Sequence, residues 1–178
     1  MSSIDSVATS STSAEDFFAK YVNVRQPCHF KDQFKNGWGL QKWTNEYLKL
    51  KCNSEVKIEF RDTPLDRFGK GNEIQMPFKK FIEEIEDGNE LYYMTTQKLN
   101  YSAEGQASIL SPPMCNLDTD FPINPPIMGN LIVQNINMWM GASATSVTSG
   151  LVSEVVASSY YNHYYTLNNV CVSYIVCL

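Results

Sequence analysis

The sequence predicts an α+β fold, and three segments carry that reading. Glu55 to Arg61 (EVKIEFR) alternates strictly. Val56, Ile58 and Phe60 face one way and charged residues the other, the pattern of a half-buried strand. Phe78, Phe81, Ile82 and Ile85 recur at helical spacing between Pro77, tolerated in a first helical turn, and Gly88, suited to ending the helix. Leu131 to Met140 (LIVQNINMWM) reads as a strand of the buried kind, with Ile132, Ile136 and Met138 on one face.

The remaining elements follow in chain order. Residues 1–13 (MSSIDSVATSSTS) are expected to be a disordered leader, with no basic start and apolar run of the secretory kind. Ser13 can cap a first helix, with Asp16 three residues on in a variant capping box and Phe17, Phe18, Tyr21 and Val22 as its stripe. Pro27 to Phe30 is extended, because a residue before proline avoids the helical region. Trp38 to Lys51 reads as a second helix, with Leu40, Trp43, Tyr47 and Leu48 on one side. Asp62 to Ile74, holding Pro64, Gly69 and Gly71, is expected to be a loop, and Leu91 to Thr96 (LYYMTT) a strand. Gln97 to Pro126 is long, irregular and proline-rich, and a loop of that length usually covers something.

Composition narrows the function classes. A net charge of −5 and a pI near 5.0 lack the basic surface that nucleic acids and anionic membranes attract, so neither partner is expected. No stretch approaches the roughly 20 apolar residues of a membrane-spanning helix. The odd set Cys28, Cys52, Cys115, Cys171 and Cys177 has no C-x-x-C spacing, so reduced, mostly buried thiols in the cytoplasm or nucleus are expected. Phe68-Gly69-Lys70-Gly71-Asn72 lacks the spacing of a phosphate loop and reads as a surface loop. Glu83, Glu84, Glu86 and Asp87 form a solvated helix face. With two histidines in the chain, no hydrolytic triad is visible from spacing.

Several segments together resemble one family. FFAKYVNVRQPCHF at residues 17–30, VKIEFR, FGKGNEIQM at 68–76, the helix from Pro77, LYYMTTQ, and NINMWMG with TSGL line up in order and spacing with the Jumonji-C, cupin-like 2-oxoglutarate oxygenases. The small hydroxylases of that group, such as the lysyl-hydroxylase type, are the nearest in look. The resemblance covers roughly residues 15–151, with an end uncertainty of a few residues. It implies a double-stranded β-helix (cupin or jelly roll) preceded by helices and strands. It also implies Fe(II) and 2-oxoglutarate as cofactors and a protein substrate. The family's iron sits in a His-x-Asp motif plus a distant His, a facial triad with open positions for co-substrate and oxygen. By the same resemblance, Tyr93, with Tyr92 as alternate, matches the tyrosine that reaches the 2-oxoglutarate carboxylate, taking Gln97 as anchor. Neighbouring strand residues face opposite ways, so one of the two serves. Ser149 and Asn137 are the other cofactor-binding candidates; Trp139, beside Asn137, reads as core.

The sequence departs from the family where the metal should bind. The segment Thr148-Ser149-Gly150-Leu151 should run into His-x-Asp, and instead Val152-Ser153-Glu154 follows. Val152 has no donor atom, and Glu154 without imidazole partners holds iron poorly. His29 belongs to an early extended piece and His163 to an irregular tail, so both read as structural residues. No catalytic or metal residue is therefore assigned, and neither cofactor is expected bound to this chain. The domain reading is a leader (1–13), the front part of a Jumonji-C cupin-like domain truncated before its iron motif (14–151), and a non-family tail (152–178). The tail has no Lys or Arg, Glu154 as its acid, and Tyr160, Tyr161, Tyr164, Tyr165 and Tyr174. Val-Ser is what the common intron starts GTAAGT and GTGAGT spell as codons, so a retained intron is the favoured origin and a diverged C-terminus the other.

Three functions follow. One is an inactive piece of a hydroxylase. The second is a non-enzymatic interaction fragment or regulatory short isoform, with self-association included. The third is a dead product, since an open sheet would leave the apolar faces of VKIEFR, LYYMTT and LIVQNINMWM wet, at about 1.5–3 kcal/mol per side chain.

Overall fold

The structure is a computed structural model, which describes residues 5–26, 28–30, 42–63, 71–141, 161–167 and 170–177. Its order is β1 (Asp5–Val7), α1 (Ala14–Phe17) running into a π-helix (Phe18–Val22), β2 (Cys28–Phe30), α2 (Asn45–Lys51), β3 (Glu55–Phe60), β4 (Asn72–Pro77), α3 (Phe78–Glu86), β5 (Tyr92–Met94), β6 (Ile132–Gly141), β7 (Tyr161–Leu167) and β8 (Val170–Cys177). The mixture of helices and antiparallel sheet fits the α+β class.

The first helix starts as its sequence dictates. The Ser13 hydroxyl accepts from Asp16 N–H at 3.0 Å, satisfying one of the orphan donors of the first turn. Its end is closed by Arg25 in the left-handed region (φ 56), with Gln26 N–H donating to Tyr21 C=O at 2.8 Å. The preceding residues, expected to be a disordered leader, include β1, which pairs parallel with β2. Two backbones supply the hydrogen bonds there, which side-chain pattern does not reveal.

The six strands of the main sheet run in the order β4-β3-β5-β6-β8-β7, every neighbouring pair antiparallel. Alternation gives the sheet one apolar face. Val56, Ile58, Met76, Met94, Ile136, Met138 and Met140 are buried in one cluster with Phe78, Phe81, Ile82 and Ile85 of α3. α3 packs on β3, β4 and β5 and against α2. Each buried α3 side chain is worth about 1.5–3 kcal/mol, so this helix alone matches a large part of a domain's net stability. The strands' apolar face is therefore covered, not wet, because the helices and the long loop lie on that side.

Several boundaries differ from the sequence reading. The second helix starts at Asn45, where the Thr44 hydroxyl accepts from Tyr47 N–H at 3.2 Å, so Trp43 lies ahead of it; residues 38–41 fall outside the described residues. Residues 72–74, expected in a loop, open β4, whose Ile74 and Met76 turn toward the core. Gly71 permits that return, since a side chain there would strike the Phe60 carbonyl. Ile132 is 70% exposed, unlike Ile136 and Met138, because the β6–β8 register shifts between Val133 and Asn135. The tail expected to be irregular holds β7 and β8: β8 pairs along β6 from Ile132 to Met140, and His163 lies in β7 opposite Tyr174. Tyr, Val, Ile and Thr in that segment are strand formers, a signal outweighed in the sequence reading by the missing turn glycines.

The long segment after β5 does cover the core. Leu110, Met114, Leu117, Phe121, Ile127 and Met128 are all buried. Its backbone joins β6 through Ile136 N–H to Ile109 C=O at 2.6 Å. A single carboxylate pins its middle: Asp120, 6% exposed, accepts from Trp43 Nε1 at 2.9 Å and from the Tyr47 hydroxyl at 2.9 Å. The Phe121 ring meets Trp43 edge-on at 6.3 Å. Nearby, Lys49 bonds Glu86 at 2.8 Å and joins α2 to α3, a surface pair whose hydrogen bond raises the lysine pKa and lowers that of Glu86.

Asp120→Ala is expected to lower unfolding stability by about 2–3 kcal/mol, because it strands a buried indole N–H and a phenol. Tyr47→Phe should cost about 1 kcal/mol. Urea melts of both variants check this; an unchanged midpoint for Asp120→Ala would refute the pin.

Candidate functional site

The other face of β3, β4, β5 and β6 is largely polar. Glu59, Tyr93 and Gly141 are successive cross-strand partners on β3, β5 and β6, so they share a face. Alternation along β6 puts Trp139 and Asn137 on that side too, and alternation along β3 adds Lys57. On β4, Gln75 stands opposite Lys57 and Glu73 opposite Glu59. Lys57 Nζ reaches Glu73 at 2.6 Å, and that bond holds the Glu73 carboxyl below its ordinary pKa. Glu59 is 3% exposed and accepts from Gly71 N–H at 2.9 Å. The sequence had it among outward-facing charges; its burial goes with the close return of the chain at Gly71, 12 residues on, just before the neighbouring strand β4.

The two candidate tyrosines separate. Tyr93 is buried on the polar face. Tyr92 points to the other side, where its ring meets that of Phe60 at 5.2 Å, and is a packing residue. Asn137 is 1% exposed. Its Oδ1 accepts from Gln97 N–H at 3.0 Å, while its Nδ2 finds no hydrogen-bond partner among the described residues. A buried amide donor left so costs about 1–3 kcal/mol, and a ligand oxygen would relieve it. Trp139 is half-buried and donates through Nε1 to Thr96 Oγ1 at 3.2 Å, which ties it to the strand end instead of the core. Ser149, Val152 and Glu154 lie outside the described residues. The structure thus brings Tyr93 and Asn137 to one face, spaced along neighbouring strands.

Gln97, used above as an alignment anchor, has a structural role that sequence did not disclose. Its Oε1 accepts from Lys57 N–H at 2.7 Å and its Nε2 donates to Lys57 C=O at 2.8 Å. The side-chain amide thus takes the place of a strand's peptide group beside β3, where β5 has already ended.

A ferrous ion needs imidazole and carboxylate ligands converging on one point. Among the described residues no group of three or more His, Cys, Asp or Glu could hold a metal ion. The two histidines stand on strands of different sheets, His29 on β2 and His163 on β7. These residues do not fit an iron site, whereas the Asn137 donor does fit an oxygen acceptor such as a 2-oxoglutarate carboxylate. No described helix is long and apolar enough to cross a membrane.

With the fold and this face in hand, comparison with known proteins gives the class. Residues 14–151 match the model of the family described as Cupin-like domain, and the chain belongs to that cupin-like, Jumonji-C-type family. The JmjC domain-containing protein 4 of Schizosaccharomyces pombe is 33% identical over 150 residues, covering 77% of this chain. The chain spans 32% of that relative's length. The hairpin of β7 and β8 lies beyond the matched residues.

Cys28, Cys52 and Cys115 are free thiols. Burial pushes Cys52 up to about 12, and burial together with Asp5 pushes Cys28 up to about 11. Both raised values favour the neutral thiol in the folded state. The stability they add is therefore full below the ordinary thiol pKa and is lost as pH rises through 11 and 12. At pH 8 the native chain should react with iodoacetamide at Cys52 roughly a thousandfold more slowly than the same chain in denaturant. Peptide mapping after timed alkylation measures this, and equal labelling in both states would contradict it.

Proposed function

We propose that residues 14–151 supply the front wall of an Fe(II)- and 2-oxoglutarate-dependent oxygenase domain of the type that hydroxylates a protein side chain. The polar face of β3, β5 and β6 is the co-substrate side of that wall. The observation that carries the reading is the buried Asn137 amide, whose donor faces no acceptor among the described residues, on the same face as Tyr93 in a chain of this family. Tyr93 and Asn137 orient 2-oxoglutarate by hydrogen bonds to its oxygens, and Ser149 adds a hydroxyl from the segment that follows β6. Iron, when bound in such a domain, supplies the activation of oxygen.

In our reading these 178 residues do not carry that reaction alone. Val152 stands where the resemblance puts the first imidazole, and Glu154 where it puts the carboxylate. A valine at a ligand position cannot be compensated by a lone carboxylate. A second reading, a non-enzymatic interaction fragment or regulatory short isoform, is favoured by the covered apolar face. Ile58, Met94, Ile136 and Met138 are at 0% exposure, and a core of that kind supports a folded fragment over a dead product. The double-stranded β-helix, a protein substrate, self-association, and residence in the cytoplasm or nucleus belong to the same proposal. The net charge of −5 supports leaving nucleic acid and membrane outside it.

Calorimetry of the purified chain should give no stoichiometric Fe(II) binding, and mass spectrometry no conversion of 2-oxoglutarate to succinate with added iron and ascorbate. Thermal unfolding should be one cooperative transition. Iron-dependent turnover that vanishes in Glu154→Gln would overturn the inactive reading; a melt without a transition would overturn the folded-fragment reading.

A further inference from the structure

Gln97 joins two strands, β3 and β6, to the chain just past β5. Its Nε2 donates to Lys57 C=O and to Thr95 C=O, each at 2.8 Å, and its Oε1 accepts from Lys57 N–H at 2.7 Å. Every polar site of the side chain is thereby committed, and the residue is 6% exposed. The peptide at position 97 is held in place beside β3, and its N–H points at Asn137 on β6, 3.0 Å from Oδ1. A main-chain N–H can only donate. The Asn137 atom facing it must therefore be the oxygen, and the amide cannot be turned over without placing two donors against each other. Its Nδ2, with both hydrogens, is fixed away from that contact and buried.

We infer that Gln97 is the positioning residue for Asn137, holding that amide as a donor so that the ligand group it meets is a carboxylate or keto oxygen of 2-oxoglutarate. This rests on the co-substrate reading proposed above. A site whose amide could rotate would accept hydroxyl and carbonyl groups alike; one with its oxygen already taken discriminates for acceptors. Gln97 itself touches no ligand and acts through Asn137.

The test is an NMR titration of the ¹⁵N-labelled 178-residue chain with millimolar 2-oxoglutarate and no metal, a regime far weaker than stoichiometric binding. The Asn137 side-chain amide resonances are expected to move saturably. Asn137→Asp keeps an acceptor for Gln97 N–H but has no donor, and should abolish the shift of the neighbouring Met138 and Trp139 backbone amides, which in the parent accompanies that of the Asn137 side chain. Gln97→Leu should weaken binding by about tenfold, the scale of one displaced hydrogen bond. Gln97→Glu retains the acceptor for Lys57 N–H and should fall between. Unchanged methyl signals from Met138 and Met140 establish that a variant is folded, and if Gln97→Leu fails that check, Gln97→Glu carries the comparison. Parent-like affinity in a folded Gln97 variant overturns the positioning inference and leaves the co-substrate reading standing. No saturable shift in the parent, or an undiminished one in Asn137→Asp, overturns both.

Discussion

The packing of α3 on the apolar face of β3, β4 and β5 is the constraint on which the rest of the structure depends. A helix with four buried side chains on one stripe needs a flat apolar partner, and strict alternation in EVKIEF provides one. That choice assigns the sheet's two sides. Once one side is committed to the helices, the polar residues at the intervening positions are gathered on the other, whatever their sequence separation. The candidate site is thus a by-product of core formation: Tyr93 and Asn137 share a face because Met94 and Met138 share the opposite one.

Much of this was legible locally. The Ser13 cap, the α3 stripe, β3 and β6 are each encoded within a dozen residues, by hydrogen-bonding side chains or by period. The rest depends on partners far along the chain. β4 reads NEIQMP, too polar to be seen as a strand without β3 beside it. β1 pairs only with β2, and α2 begins at Asn45 behind its Thr44 cap while Trp43, ahead of it, bonds Asp120, so the apparent helical period misleads at Trp43. Glu59 illustrates the limit: its alternation is correct, but whether a residue on the outward face stays wet depends on Gly71 returning over it.

The site was legible in a different way. Tyr93 and Asn137 came from likeness to a family, and their shared face then followed from strand register. Asp120 and the committed amide of Gln97 were invisible, since nothing in a polar residue's own neighbourhood announces a partner 40 or 77 positions away. Buried polar residues in long loops, read against nearby tryptophans and tyrosines, are the signal that could have exposed Asp120.

Asp120 also bears on how the chain assembles. Its contacts to Trp43 and Tyr47 span 77 and 73 residues, whereas those within α3 or between β3 and β4 close short loops. Long closures are entropically expensive and are made after local structure exists to receive them. The segment from Gln97 to Pro126 is therefore expected to dock late, onto a preformed α2–β3–β4–α3 unit, with the polar face of β3, β5 and β6 completed only at that last step.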